Sequence, residues 1–157
     1  FRMVRESLLS QVEIPAENIH RMPGEEDPET AADEYEEELR RFFGFSAPPR
    51  FDLIFLGLGE DGHTASLFPG SAALEERRRW VVSAYAARLK AHRLTLTLPV
   101  INAAAQITFL VSGENKRRIV KQLLGADSPH LPAAKVLPAS GKLTWLITAD
   151  AAQGLHR

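Results

Sequence analysis

The stretch from Phe51 to Gly70, FDLIFLGLGEDGHTASLFPG, constrains the fold of this chain more than any other. It opens with a nearly continuous apolar run, Phe51 to Leu56, whose length and composition are typical of a strand buried on both faces. A glycine-rich turn follows at residues 57–62. Three polar residues come directly after it: His63, Thr64 and Ser66. Ligands of open α/β sheets bind beyond the carboxyl ends of the strands, so the stretch predicts an α/β fold with a site at this turn.

The rest of the chain is predicted to alternate between strands and helices. Further strands are expected at Trp80–Val82, Arg93–Leu98, Gln106–Ser112 and Leu143–Ile147. Helices are expected at Phe1–Val12, Pro28–Phe43, Val100–Ala104, Gly113–Gly125 and Thr148–Leu155. The acidic run in the second helix is interpreted as a solvated face. Such alternation predicts one α/β domain over residues 1–157, with a mostly parallel sheet and helices on both faces.

Composition limits the classes of partner. The 157 residues include 19 lysines and arginines against 20 aspartates and glutamates, so no overall field attracts nucleic acid or an anionic membrane. No apolar run approaches the ~20 residues of a membrane span. There is no cysteine, which excludes disulfides and thiolate metal sites and fits a cytoplasmic protein. A small anionic substrate would therefore need local positive groups.

His63 is the strongest candidate for a catalytic residue. Its unperturbed pKa of about 6.5 leaves the neutral imidazole largely populated near pH 7, so it can take a proton from water. Asp61, two residues earlier, is close enough to orient the imidazole or to stabilise the imidazolium. A turn-forming aspartate without a chemical role is the alternative for Asp61. The pair predicts general-base chemistry.

The other residues of the turn are candidates for ligand contacts. Gly57, Gly59 and Gly62 let the backbone take unusual dihedrals and come close to a ligand. The backbone N–H groups of the turn are expected to hold a developing oxyanion. Thr64 and Ser66 have hydroxyls that could bond substrate or cap a following helix, and capping is the simpler explanation.

Two basic residues elsewhere are predicted to bind a phosphate. Arg93 begins a predicted strand, and its guanidinium suits bidentate phosphate binding. Lys116 begins a predicted helix after Gly113, where a lysine opposes the helix dipole but suits a bound anion. The alternative is two ordinary surface cations. The five histidines show no H-x-x-x-H spacing, so neither a metal nor another cofactor is expected.

The segment GLGEDGHTASLFPG resembles the signature of the 6-phosphogluconolactonases, and RLTLTLPVINAA and FLVSGENKRRIV resemble further segments of that family. The resemblance implies the α/β sandwich shared with glucosamine-6-phosphate deaminases and ribose-5-phosphate isomerases. It implies hydrolysis of 6-phosphoglucono-δ-lactone, a small sugar-phosphate lactone, without a cofactor. By resemblance, His63 would be the base, Asp61 its partner, and Arg93 and Lys116 the phosphate ligands.

The chain departs from the family pattern at both ends. Family members usually begin with a strand, a glycine-serine phosphate loop and an Asp-Glu-Arg stretch, none of which appears here. Phe1 also begins inside a predicted helix without a preceding cap, so the domain is expected to be incomplete at its N-terminus. An aspartate often found three residues after the family's tryptophan is Thr148 here, with Asp150 two residues further on.

Two other functions compete with lactone hydrolysis. Glucosamine-6-phosphate deaminases also carry G-x-D-G-H but follow it with a proton-transferring glutamate before the proline. This chain has Phe68 before Pro69, which cannot transfer protons, so hydrolysis is favoured. The second alternative is a non-catalytic sugar-phosphate-binding module. The absent N-terminal segment supports it, and the intact Asp61, His63, Arg93 and Lys116 oppose it.

Overall fold

The computed structural model describes residues 1–125 and 128–155 and confirms the α/β class. The helices are α1 (Arg2–Val4), α2 (Pro28–Phe43), α3 (Leu98–Ala103) and α4 (Arg117–Leu123). The strands are β1 (Ile54–Leu56), β2 (Val81–Ala86), β3 (Ala91–Leu96), β4 (Gln106–Val111) and β5 (Lys142–Ile147). A π-helix continues α1, and five 3₁₀ turns occur at Ala16–Asn18, Ala72–Leu74, Ala87–Leu89, Glu114–Lys116 and Pro132–Lys135.

The strands form two sheets. The first is parallel and has the order β1-β4-β5, with Ile54 opposite Ile107 and Ile107 opposite Leu143. The second is the antiparallel hairpin of β2 and β3, in which Ala84 lies opposite Arg93. The connection between β2 and β3 is too short for a parallel crossover, which needs a dozen residues or more. The order β1-β4-β5 confirms the predicted parallel sheet. The strand of Arg93 lies outside that sheet, in the antiparallel hairpin.

Helices α3 and α4 share one apolar cluster with the parallel sheet. The cluster includes Leu98 and Ile101 of α3, Ile107, Phe109 and Val111 of β4, and Ile119, Val120 and Leu123 of α4. Within it, Phe109 stacks on Trp145 of β5, with ring centroids 3.8 Å apart and ring planes 7° from parallel. One face of the sheet is thus buried by helices that follow β3 and β4 in the chain.

The opposite face of the sheet is exposed in the part of the chain that the structure describes. Phe55 is 61% exposed, Leu110 is 50% exposed and Leu146 is 55% exposed. Successive side chains of a strand point to opposite faces, so these residues alternate with the buried ones. The prediction that Phe51–Leu56 is buried on both faces is therefore wrong. The strand is also shorter than predicted, because only Ile54–Leu56 pairs with β4.

Both ends of the chain differ from the sequence prediction. Helical structure at the start spans Arg2–Leu9, and its apolar side chains stay largely exposed, with Met3 at 73% and Leu8 at 52%. Residues 149–154 form turns instead of the helix predicted over Thr148–Leu155. The Thr148 hydroxyl donates to the Asp150 carboxylate, a local bond of the kind that competes with helix formation.

Helix α2 has the predicted bounds and connects the hairpin to the rest of the fold. Asp27 caps its start by accepting a hydrogen bond of 3.0 Å from the Thr30 backbone N–H. The acidic run is not wholly solvated, however, because Glu36 is only 6% exposed. The apolar side of α2 packs through Ala32 and Leu39 in a second cluster with residues of the hairpin.

Glu36 is the polar centre of this second cluster. Its carboxylate accepts hydrogen bonds from Arg40 Nη2 at 2.7 Å and Arg79 Nε at 2.9 Å. It also accepts from the backbone N–H groups of Trp80 at 2.8 Å and Val81 at 3.1 Å. Burial raises the pKa of Glu36, but these bonds outweigh burial and lower the pKa from 4.5 to about 2. Glu36 therefore ties α2 to the first residues of β2 in its ionised form.

The low pKa of Glu36 predicts an acid-dependent loss of stability. A folded pKa below the unfolded value stabilises the fold above about pH 4.5, and the contribution is lost as pH falls toward about 2. The shift corresponds to about 3 kcal/mol. We expect Glu36→Gln to lower the free energy of unfolding near neutral pH and to reduce its decrease on acidification, as measured by urea denaturation between about pH 7 and about pH 3.

Glu37→Gln is the matched control, because Glu37 lies on the same helix with a 62% exposed side chain paired to Arg41. Exposed pairs of this kind contribute about 0–1 kcal/mol. Equal pH dependence in wild type and Glu36→Gln would contradict the role assigned to Glu36.

Candidate active site

The loop after β1 closes on itself through backbone hydrogen bonds. The Gly59 N–H donates to the His63 carbonyl at 2.8 Å, and the Gly62 N–H donates to the Gly59 carbonyl at 3.0 Å. The Gly62 carbonyl in turn accepts from the Ala133 N–H at 3.0 Å. These two glycine N–H groups are used inside the loop and cannot also hold an oxyanion. For the other backbone N–H groups of the turn, that role stays a prediction.

His63 and Asp61 form a hydrogen-bonded pair in this loop. His63 Nδ1 lies 2.5 Å from Asp61 Oδ1, and the same oxygen accepts from the His63 backbone N–H at 3.1 Å. Burial raises the pKa of Asp61, but the bonds from His63 outweigh it and lower that pKa. An ionised Asp61 requires the proton on Nδ1, which leaves the Nε2 lone pair of a neutral imidazole able to accept a proton.

The imidazole is held from two sides. At Gly59, an added Cβ would lie 2.0 Å from His63 Nδ1 and 2.7 Å from Asp61 Oδ1, so only glycine leaves room for the pair. The Phe68 ring lies across the imidazole, with centroids 4.8 Å apart and planes at 50°. Gly59 and Phe68 thus pack against the imidazole, and the His63 side chain remains 32% exposed to solvent.

Of the unusual dihedrals and close approach predicted for the three glycines, the structure shows the unusual dihedral at Gly62. Only Gly62 has a left-handed φ, at +82°, and there a Cβ would also meet the Leu131 side chain at 2.8 Å. Gly59 accommodates the imidazole. Gly57 has open space around the position of a Cβ, which leaves its predicted approach to a ligand as a prediction.

Thr64 and Ser66 are not helix caps. Residues 64–67 form a turn in which the Leu67 N–H donates to the Thr64 carbonyl at 2.9 Å, and Ala65 has a left-handed φ of +49°. The Thr64 hydroxyl donates to the Gly57 carbonyl at 2.9 Å, and the residue is 1% exposed. That hydroxyl serves the loop itself. The Ser66 side chain remains half-buried, and its contact with substrate remains a prediction.

Ser66 also connects the loop to the strand of Arg93. Its backbone N–H donates to the Thr95 hydroxyl of β3 at 3.2 Å. Arg93 lies two residues before Thr95 on the same strand, so the two side chains point to the same face, about 7 Å apart along it. Arg93 is exposed, whereas Thr95 is buried. The guanidinium is therefore carried on the face of the hairpin that contacts the His63 loop.

Lys116 lies at the end of the 3₁₀ turn Glu114–Lys116 that follows β4. Its neighbours contact Glu60 of the glycine loop. Asn115 Nδ2 donates to Glu60 Oε1 at 2.6 Å, and Arg118 Nη2 donates to the Glu60 carbonyl at 3.2 Å. Glu60, Asn115 and Arg118 were not predicted from the sequence as site residues. The sequence does show a glycine-containing loop after each of two strands. These loops become neighbours only because the strands pair in parallel.

The two predicted phosphate ligands have unneutralised charges. Within residues 1–125 and 128–155, neither Arg93 nor Lys116 lies within ion-pair distance of a carboxylate. Over the same ranges, no three histidine, aspartate or glutamate side chains cluster as metal ligands would, and no helix is long and apolar enough to span a membrane.

A family model described as "Glucosamine-6-phosphate isomerases/6-phosphogluconolactonase" matches residues 1–145. The chain belongs to the glucosamine-6-phosphate isomerase/6-phosphogluconolactonase family. Among its relatives, a 6-phosphogluconolactonase of Synechocystis is 43% identical over 160 residues, a match that covers 99% of this chain and 65% of the relative. The chain thus spans 65% of the length of that relative.

Solved structures of the family have the same fold. A protein named devB superposes with a TM-score of 0.88 and 35% identity, covering 97% of this chain and 65% of devB. The 6-phosphogluconolactonase of Trypanosoma cruzi superposes with a TM-score of 0.83 and 28% identity, covering 99% of this chain and 65% of its own. The implied family fold is therefore confirmed.

The packing of the imidazole over Gly59 predicts that Gly59→Ala separates His63 from Asp61, because the new methyl group would lie only 2.0 Å from Nδ1. We expect the ¹⁵N signal of His63 Nδ1 to lose the shift that its bond to a carboxylate produces. Side-chain ¹H–¹⁵N spectra measure this, with His63→Asn assigning the signal among the five histidines.

Gly57→Ala is the matched comparison, since nothing lies within 4 Å of a Cβ at that position. An unchanged His63 signal in Gly59→Ala, or an equal change in both variants, would contradict the steric role of Gly59.

Proposed function

We propose that this chain carries the catalytic site of a 6-phosphogluconolactonase, which hydrolyses 6-phosphoglucono-δ-lactone to 6-phosphogluconate in the oxidative pentose phosphate pathway. The observation that carries the proposal is the 2.5 Å contact between His63 Nδ1 and Asp61, in a loop after a parallel strand. It leaves Nε2 as the base, on a side chain that is 32% exposed. The absence of cysteine supports a cytoplasmic location as part of the same proposal.

His63 acts as a general base and then as a general acid. Nε2 takes a proton from a water molecule as the water oxygen attacks C1 of the lactone, and Asp61 stabilises the imidazolium that forms. The bond between C1 and the ring oxygen then breaks. The imidazolium returns the proton to that oxygen, so the products are a carboxylic acid and a free hydroxyl, and the acid ionises in solution. Such proton transfer contributes typically ~10²–10⁴-fold to the rate.

Arg93 and Lys116 bind the phosphate of the substrate. Both side chains lie on segments that contact the His63 loop, one through Thr95 and the other through Asn115. Both also lack an ion-pair partner among the described residues. A phosphate held between them would fix the sugar so that C1 faces Nε2. Gly57 and Ser66 complete the proposed set of substrate contacts.

Lactone hydrolysis is favoured over the two alternatives by contacts of His63. Deamination of glucosamine 6-phosphate was expected to require a carboxylate where this chain has Phe68, and that ring packs on the imidazole instead. A non-catalytic sugar-phosphate-binding module would not need a carboxylate hydrogen-bonded to Nδ1 of an imidazole. The relatives named 6-phosphogluconolactonase, at up to 43% identity, support the same choice.

The proposal predicts that His63→Asn lowers the rate of lactone hydrolysis by about 10²–10⁴-fold, because asparagine cannot take the proton from water. Binding of 6-phosphogluconate is expected to persist, since the phosphate contacts remain. The rate is measured on the complete natural protein and corrected for spontaneous ring opening, and binding is measured by calorimetry. Turnover at the wild-type rate in this variant would remove the proposed base.

A second prediction concerns the phosphate. Arg93→Ala is expected to raise KM for the phosphorylated lactone roughly tenfold or more and to leave the unphosphorylated lactone unaffected. Steady-state kinetics on both substrates measure the difference. Arg88→Ala is the control, because Arg88 is an exposed arginine at the turn of the same hairpin. Equal losses on both lactones would show that Arg93 does not bind the phosphate.

A further inference from the structure

We infer that Glu60, Asn115 and Arg118 act as a latch that sets the distance between the His63 loop and the Lys116 turn. The inference rests on the proposed function, because only a substrate that reaches both His63 and Lys116 makes that distance matter. None of the three residues is assigned a contact with the substrate, so they are positioning residues.

The latch connects two loops that lie beyond the last paired residues of β1 and β4. The paired register of β1 and β4 ends with Leu56 opposite Phe109. Beyond that point, Asn115 Nδ2 donates to the Glu60 carboxylate at 2.6 Å and Arg118 Nη2 donates to the Glu60 carbonyl at 3.2 Å. One bond holds the side chain of Glu60 and the other holds its backbone, which restrains both the position and the orientation of this residue.

The backbone around Asn115 is arranged for this contact. Gly113 has a left-handed φ of +102°, and a Cβ there would lie 2.7 Å from Asn115 Oδ1. The amide oxygen therefore lies over a glycine, and the amide nitrogen faces Glu60. A side chain at position 113 would push the amide away and would also strain the backbone.

The latch contacts are adjacent in sequence to the proposed catalytic and phosphate-binding residues. Glu60 directly precedes Asp61, and Asn115 directly precedes Lys116. Because Asp61 and His63 are bonded to each other within their own loop, loss of the latch would move this pair as a unit relative to the lysine. Misplacement by 1 Å can cost ~10²-fold in rate when a substrate must be held in one geometry.

The latch is tested by a double-mutant cycle on the complete natural protein, with Asn115→Leu, Glu60→Ala and the two combined. We expect each single variant to lower kcat/KM for 6-phosphoglucono-δ-lactone roughly tenfold, and the double variant to be no worse than the poorer single one. Activity on the unphosphorylated lactone is expected to change less than about twofold, because that substrate does not use Lys116.

Conservative variants separate positioning from a general effect on folding. Glu60→Gln keeps an oxygen that accepts from Asn115, so it is expected to restore most of the activity that Glu60→Ala loses. Arg118→Lys is expected to retain more activity than Arg118→Met, since lysine can still donate to the Glu60 carbonyl. Glu37→Ala, which breaks the exposed pair with Arg41 on α2, controls for loss of a surface charge.

Hydrogen exchange of the backbone amides in residues 57–63 tests the latch without any substrate. We expect Asn115→Leu and Glu60→Ala to speed this exchange and Glu37→Ala to leave it unchanged. Additive losses in the cycle, equal losses on both lactones or unaltered exchange would each overturn the latch. A wild-type protein without lactonase activity would instead overturn the proposed function, while the exchange experiment would still decide whether the latch exists.

Discussion

The parallel pairing of β1 with β4 is the contact on which the site depends. Parallel neighbours end at the same edge of a sheet, so the glycine loop after β1 and the turn after β4 emerge side by side. This edge is where Asn115 meets Glu60. Residues 55 positions apart in the chain become neighbours for this reason, and the His63 loop acquires a partner that its own sequence does not specify.

The hairpin of β2 and β3 reaches the same loop by a different route. It is attached to α2 by the buried carboxylate of Glu36, which accepts bonds from Arg79 and from the backbone N–H groups of Trp80, directly before β2, and Val81, its first residue. A buried charge is costly unless its bonds are complete, and here they hold the carboxylate in its ionised form. The hairpin attached in this way brings Thr95 of the Arg93 strand to the Ser66 N–H.

Sequence reasoning succeeded where the relevant information is local. Helix α2 has its predicted bounds because its N-cap residue, Asp27, and its C-cap residue, Gly44, directly flank it in the sequence. The Asp61–His63 pair was predicted from a spacing of two residues, and the two side chains are indeed bonded. Reasoning failed at Phe55 and Glu36, because an apolar run does not reveal which face is covered and an acidic run does not reveal which carboxylate is buried.

The sequence by itself determined the class of fold, the loop that carries the Asp61–His63 pair and the family to which the chain belongs. The glycine turn, the histidine after it and the strand patterns each span only a few residues. Over such a range the backbone conformation depends mainly on neighbours in the chain. Only the tertiary structure decided that Gly59 makes room for the imidazole, that Phe68 covers it and that Glu60 bonds to Asn115. These contacts depend on the path of the folded backbone, which no local pattern specifies.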